Sequence, residues 1–337
     1  MTLTRPTPEA ADAGEPIRRP GVGRAVTVLV LVGLAALIPL LGPAAALHGT
    51  GEAEAPGTGG IALLRAVVFL ALCVPVGEWF VGRLTRSLPG APTADAPRSW
   101  SPYTAVAGFV AALGLASVVS TGNLVPHSLD QIDVGGLYAS RDGKLALLEV
   151  NAFLLAAACA RSRRPASQLW PLGAVIVAEA LRAHPAPEHT PLVGSGLTLV
   201  HLTCAALWAG GLLHVLRTLR RWGPVEAGPA LLGLYARVAA VLLAVITASG
   251  TWSSLRRMPP HSILDQLTTT AYGRTLLAKV LLVGAVALLA LCARIRLRRA
   301  TDPLSACSPA RMEVVALGLV VVVSGLLTAL PLPIRWS

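Results

Sequence analysis

Charge is what this chain has least of. Asp, Glu, Lys and Arg supply 13% of its 337 residues, against about 25% in a soluble protein. Hydrophobic residues supply 54%, more than one aqueous core can hide, so a disordered chain and an ordinary cytosolic enzyme are excluded. Aromatics are also few, with 4 Phe, 4 Tyr and 7 Trp, and the apolar mass is Ala, Leu, Val and Gly. The five cysteines, Cys73, Cys159, Cys204, Cys292 and Cys307, include no CxxC pair. A zinc knuckle, a thioredoxin-like motif and a secreted disulfide scaffold are therefore excluded. The first four lie in apolar runs, where thiols act as small hydrophobes. Methionine is limited to Met1, Met258 and Met312, too few for a ladder of thioether ligands. Walker A and Asp-Lys-Thr-Gly phosphorylation signatures are absent too. The chain reads as a non-enzyme without catalytic residues, and any transport it performs is passive, ion-coupled or assisted by a partner.

What is present is a series of long apolar runs. A membrane helix needs about 20 such residues, and nine candidate spans result: 25–47, 61–82, 103–121, 144–161, 168–184, 192–216, 230–253, 274–294 and 312–331. Pro171 and Glu179 interrupt the fifth. The expected fold is an all-α transmembrane bundle of about nine spans. The formal charge of +11 then orients helices rather than binding nucleic acid. With the N-terminus inside, inner segments hold 18 Lys/Arg, including Arg83, Arg86, Arg98, Arg161, Arg217 and Arg220, and outer segments hold seven. The bias places the N-terminus in the cytoplasm and the C-terminus outside.

The chain also repeats itself. Pro126-His127-Ser128-Leu129-Asp130-Gln131 recurs as Pro260-His261-Ser262-Ile263-Leu264-Asp265-Gln266. Each copy follows a span ending in a small-residue–Gly pattern, and each precedes a Gly-basic pair, Gly143-Lys144 or Gly273-Arg274. The spans opened by those pairs close alike, in Cys159-Ala160-Arg161 and Cys292-Ala293-Arg294. Phe69 to Gly77 aligns loosely with His201 to Ala209. Corresponding spans are offset by four positions, an even number, so the repeats are parallel, an arrangement that puts a transporter's substrate site at the repeat interface.

Seven histidines are present: His48, His127, His184, His189, His201, His214 and His261. The topology puts all but His214 on the outer side or in the outer half of a span, as a metal-capturing funnel would be. Imidazole suits copper and zinc; solvated loop histidines are the plainer reading of His48 and His189. His201 lies about nine residues into its span, roughly 13 Å deep, where a polar ring needs a partner. His201, Cys204 and Trp208 share one helical face that offers nitrogen and soft sulfur. Gly210 and Gly211 permit close helix approach. Glu149 and Lys279 occupy matching repeat positions and read as a structural ion pair across the repeats, with cation or proton movement as the sharper alternative.

These residues resemble a known family. Residues 184–331 are similar to the copper resistance D (CopD) domain of bacterial membrane proteins. The likeness rests on His201 with Trp208-Ala209-Gly210-Gly211, on Tyr235-Ala236-Arg237 and Ser249-Gly250-Thr251-Trp252, and on Thr270-Ala271-Tyr272-Gly273-Arg274 with Leu276-Leu277-Ala278-Lys279. Gly325 to Pro333 fits that family's last span, and His184 aligns with a histidine that often precedes the domain, although Ala183 and Pro185 replace its neighbours. The resemblance implies a bacterial plasma-membrane protein that handles copper, by import in the usual proposal, beside a CopC-like partner outside the cell; no outer loop here is long enough to be that partner. The expected organisation is a polar tail (1–24), N-terminal helices forming the first repeat (25–182), a CopD-like second repeat (183–331) and a short outer tail (332–337). The expected metal ligands are His201, His184, His127, His261 and Cys204, with Trp208, Gly210 and Gly211 shaping the site. Two rivals remain: a non-transporting subunit docking a copper-enzyme assembly partner, and a membrane haem protein. The second needs paired histidines at one depth, whereas His201 and His214 lie about 20 Å apart on one helix.

Overall fold

A computed structural model describes residues 36–52, 56–122, 125–126, 128–184, 190–223, 225, 227–257 and 263–299. The described residues form helices and turns without strands. The helices are α1 (Ala36–Leu47), α2 (Thr58–Arg86), α3 (Ser101–Ser120), α4 (Val134–Ala139), α5 (Arg141–Ala160), α6 (Leu169–Arg182), α7 (Pro191–Trp222), α8 (Ala227–Arg257), α9 (Ile263–Thr269) and α10 (Ala271–Arg299). Short 3-10 turns at Thr93–Asp95, Leu129–Gln131 and Pro165–Gln168 lie between them.

Among the described residues, five helices are long and apolar enough to cross a membrane: α2, α3, α5, α7 and α8. They overlay the expected spans at 61–82, 103–121, 144–161, 192–216 and 230–253, and most run longer because basic ends such as Arg83, Arg86, Arg220 and Arg221 continue the helix. The described residues thus account for five of the nine expected spans by length and hydropathy. The expected fifth span becomes α6, whose 14 residues reach about 21 Å, short of a bilayer core of about 30 Å. The polar Pro165–Gln168 turn takes up its start, and Pro171 falls in its first turn, where a missing N–H is harmless. α10 has 29 residues over the expected eighth span. Only 36–47 of the first span is described, and 312–331 lies outside the described residues.

α2, α3, α5, α6 and α7 pack in sequence, and α7 returns to α2, closing a ring. Its centre holds Val68, Leu72, Phe153, Leu172, Val175 and Ala206. Phe153 is wholly buried because Gly108 leaves room for its ring: a Cβ there would lie 2.4 Å from it. A second core joins α8 to α2 and α7 through Val81, Trp208, Leu212, Val215, Leu231 and Tyr235.

The closest approach in the ring is between α2 and α7. A Cβ on Gly210 would lie 1.7 Å from the Cys73 carbonyl oxygen, and one on Gly77 would lie 2.1 Å from the Gly210 backbone. Cys73 and Gly77 thus meet Gly210, and further on Glu78 meets Arg217, so α2 and α7 run parallel.

Two corners of the chain share one geometry. Ser140 Oγ accepts from the Gly143 N–H at 3.0 Å to start α5, and Thr270 Oγ1 accepts from the Gly273 N–H at 3.0 Å to start α10. In each, a Cβ on the glycine would strike a carbonyl of the preceding short helix, 2.4 Å from Leu137 O or 1.9 Å from Gln266 O.

Candidate functional site

α7 carries the candidate site. His201 is half-buried, and its Nδ1 lies 3.1 Å from Ser249 Oγ on α8. That hydroxyl also lies 2.7 Å from the Val245 carbonyl and 3.1 Å from that of Ile246, and the Ile246 backbone is a hydrogen-bond partner of the ring as well. In the tautomer with its proton on Nδ1, His201 would present the Nε2 lone pair to a ligand. Gly250 makes the space: a Cβ there would lie 3.3 Å from His201 Cε1. Lys279 of α10 stands within electrostatic reach of the ring. Cys204, one turn along α7, is a half-buried free thiol.

The small-residue motif following this face is a packing device. Trp208 is buried, and its carbonyl accepts the Tyr235 hydroxyl at 2.5 Å. Gly210 admits α2, while Gly211 admits Tyr235, whose ring would lie 2.8 Å from an added Cβ. The Trp208 and Tyr235 motifs, 27 residues apart, thus form one α7–α8 contact.

His184 is buried and lies over Gly194, with its Nε2 3.0 Å from Thr198 Oγ1. Thr198 and His201 are one turn apart on α7, about 4.5 Å along the axis, so the helix brings both expected histidines to one end of the bundle. His127 and His261 lie outside the described residues. Among the described residues, no three His, Cys, Asp or Glu side chains gather closely enough to hold a metal ion. His48 lends its carbonyl to Arg274 at 2.7 Å, joining the segment after α1 to α10.

Glu149 was expected opposite Lys279, but Arg182 of α6 stands 2.8 Å from its carboxylate. Arg182 and Arg65 also approach Glu179, each at 3.8 Å. All four charges are visible in the sequence; their convergence is not, because it depends on α2, α5 and α6 closing one ring.

At the opposite end Glu78 is fully engaged. It accepts from Ser99 Oγ at 2.6 Å, Trp100 N at 2.7 Å, Ser101 Oγ at 2.6 Å and Arg217 Nη1 at 2.9 Å. Arg217 also donates to the Arg98 carbonyl and stacks over Trp100 at 3.7 Å. His214 is buried nearby with no hydrogen-bond partner at Nδ1.

A ring of long apolar helices with a half-buried histidine held between α7 and α8 defines a polytopic helical membrane protein. Comparison with protein families makes it more specific. Residues 229–330 match the family model described as CopD, copper resistance protein D, so this membrane-helix chain contains a CopD-type segment. The matched segment contains Tyr235, Ser249, Gly250 and Lys279; His201, Cys204 and the Trp208–Gly211 motif precede it. No curated protein and no solved structure matches the chain.

Proposed function

We propose that this protein moves copper ions across the bacterial plasma membrane, inward, as part of copper homeostasis or resistance. The observation that carries the reading is His201 inside the bundle, oriented by Ser249 Oγ 3.1 Å from its Nδ1. A histidine oriented through its other nitrogen is the usual arrangement for a metal ligand, and Ser249 belongs to the segment matching the CopD model. Copper is the cargo, passed between few ligands at a time: His184 receives it, His201 and Cys204 follow, and His127 and His261 serve from the loops. A sparse ligand set suits transit, because a closed site would retain the ion.

Parallel repeats, 25–182 and 183–331, fit the matching corners at Ser140–Gly143 and Thr270–Gly273 and the parallel contact of α2 with α7. The cytoplasmic N-terminus, external C-terminus and CopC-like donor belong to the same proposal. A docking subunit for a copper-enzyme assembly partner is the second reading, favoured by the absence of a three-ligand group among the described residues.

Total cell copper decides between them. Metal-matched cultures expressing wild type, His201→Ala or an empty vector are compared by mass spectrometry, with membrane levels equalised. The proposal expects wild type to raise copper and the variant not to. A fall with wild type reverses the direction. Identical copper in all three cultures overturns transport and favours docking.

A further inference from the structure

The bundle holds a second polar centre that a copper path through the histidines does not use. Arg65 of α2, Glu149 of α5, and Glu179 and Arg182 of α6 meet within the helix ring. The Glu149 side chain is 1% exposed, Glu179 6% and Arg182 10%. Charges this deep among apolar helices are rare, and they mark ion or proton pathways when they occur.

The four are unevenly matched. Guanidinium groups stay protonated, so the arginines contribute two fixed positive charges. Glu179 has both of them, each at 3.8 Å. Glu149 has Arg182, whose Nη2 is 2.8 Å from Oε1, a weaker attraction from the more distant Arg65, and the like charge of Glu179 beside it. Both Glu149 oxygens, Glu179 Oε1, and Arg65 Nε, Arg182 Nε and Nη2 are buried without hydrogen-bond partners. A buried carboxylate left so poorly compensated is costly; one added proton removes its charge and supplies a donor. The other elements packed on α5 bring no counter-charge: α3, α4 and the Pro165–Gln168 turn contain no Asp, Glu, Lys, Arg or His. Their two tyrosines, Tyr103 and Tyr138, are exposed. On α5 itself, Arg141, Asp142 and Lys144 lie at its exposed start.

We infer that Glu149 is a proton-binding site, a membrane-buried carboxyl that takes up and releases one proton within the Arg65–Glu179–Arg182 cluster. The chemical step is simple: a proton from water forms the O–H bond of Glu149, Arg182 turns wholly to Glu179, and release restores the carboxylate. Placement gives the step a consequence. Arg182 ends α6, two residues before His184, and Arg141 ties the same corner down by donating to the Leu181 carbonyl at 2.8 Å. Protonation of Glu149 therefore acts on the helix end that positions His184 against Thr198. Such a group is what an ion-coupled transporter requires, but proton binding itself stands whether or not copper moves.

The test needs no copper. The full chain in lipid nanodiscs is examined by infrared difference spectroscopy as pH is stepped between about 9 and 5, the span over which buried carboxyls titrate. The inference expects a protonated-carboxyl band that grows as pH falls, disappears in Glu149→Gln and returns at a shifted frequency in Glu149→Asp. If Glu149→Gln does not fold, the frequency shift in Glu149→Asp carries the assignment alone. No titrating buried band in wild type would mean that water fills the cluster and both glutamates stay ionised, which overturns the inference. A band unmoved in Glu149→Asp places the proton elsewhere and overturns it equally.

Discussion

His201 and Ser249 meet across the α7–α8 contact. Nδ1 and Oγ are 3.1 Å apart, and the Ser249 hydroxyl also reaches the Val245 carbonyl at 2.7 Å and the Ile246 carbonyl at 3.1 Å. The serine thus orients a ring it does not share a helix with. Ser249→Ala removes that control and leaves both helices intact. Loss of such a partner costs on the order of 10- to 100-fold in metal affinity. Competition titration of the purified protein against a chromophoric copper chelator checks it. Unchanged affinity would mean that His201 is no ligand or needs no orientation.

Gly210 is the position where the ring is least tolerant. The obstacle to a side chain there is the Cys73 carbonyl, 1.7 Å from the added Cβ, and backbone cannot rotate aside as a side chain can. Gly210→Ala forces α2 and α7 apart, at about 1–3 kcal/mol for overpacking. Gly196, on the same helix, has nothing within 4 Å of its Cβ position, so Gly196→Ala is the control. The Gly210 variant is expected to melt lower in detergent and the Gly196 variant to match wild type. Equal melting of the two would show that the α2–α7 approach is not rigid.

These two residues differ in how legible they were. Gly210 lies in a small-residue motif, and small residues in apolar helices announce close packing, so its role follows from the chain. Ser249 lies in a motif too, but a serine in an apolar helix usually satisfies itself on its own backbone, and only the α7–α8 crossing reveals the imidazole beside it. The apolar runs locate the long helices because hydropathy and length are local properties. Whether 168–184 is a span or a 14-residue helix is set at its ends, where the Pro165–Gln168 turn takes up its start and Arg182 closes it. Glu149 shows the same dependence on neighbours as Ser249. Its repeat position pointed to Lys279, whereas ring closure presents Arg182 first.

Glu78 and Arg217 fasten the other end of the bundle. Donors from four residues converge on Glu78, and Arg217 is held by charge, by the Arg98 carbonyl and by stacking on Trp100. Removing one partner of a buried pair costs about 3–5 kcal/mol, so Glu78→Ala should sharply reduce yield and melting temperature. Arg217→Lys keeps the charge but loses the planar stack and the second donor. It should fall between wild type and Glu78→Ala. A lysine variant equal to wild type would reduce the cluster to simple charge balance.

The corners before α5 and α10 give the repeat a physical test. At each, a hydroxyl caps the helix start and a glycine in the first turn clears a carbonyl of the preceding short helix. Ser140→Ala and Thr270→Ala each lose a cap worth about 1 kcal/mol, and Thr270→Ser should restore it. Gly143→Ala and Gly273→Ala are harsher, because the clash is with backbone at 2.4 Å and 1.9 Å. Both helices follow their short helix across a single capping residue, so neither glycine can shift without re-aiming the long helix behind it. Thermal melting and limited proteolysis of the four alanine variants should therefore rank glycine above cap at both corners. If Gly143→Ala is destabilising and Gly273→Ala is silent, the two corners are similar in sequence and not in mechanical role, and the parallel-repeat reading of the chain loses its structural support.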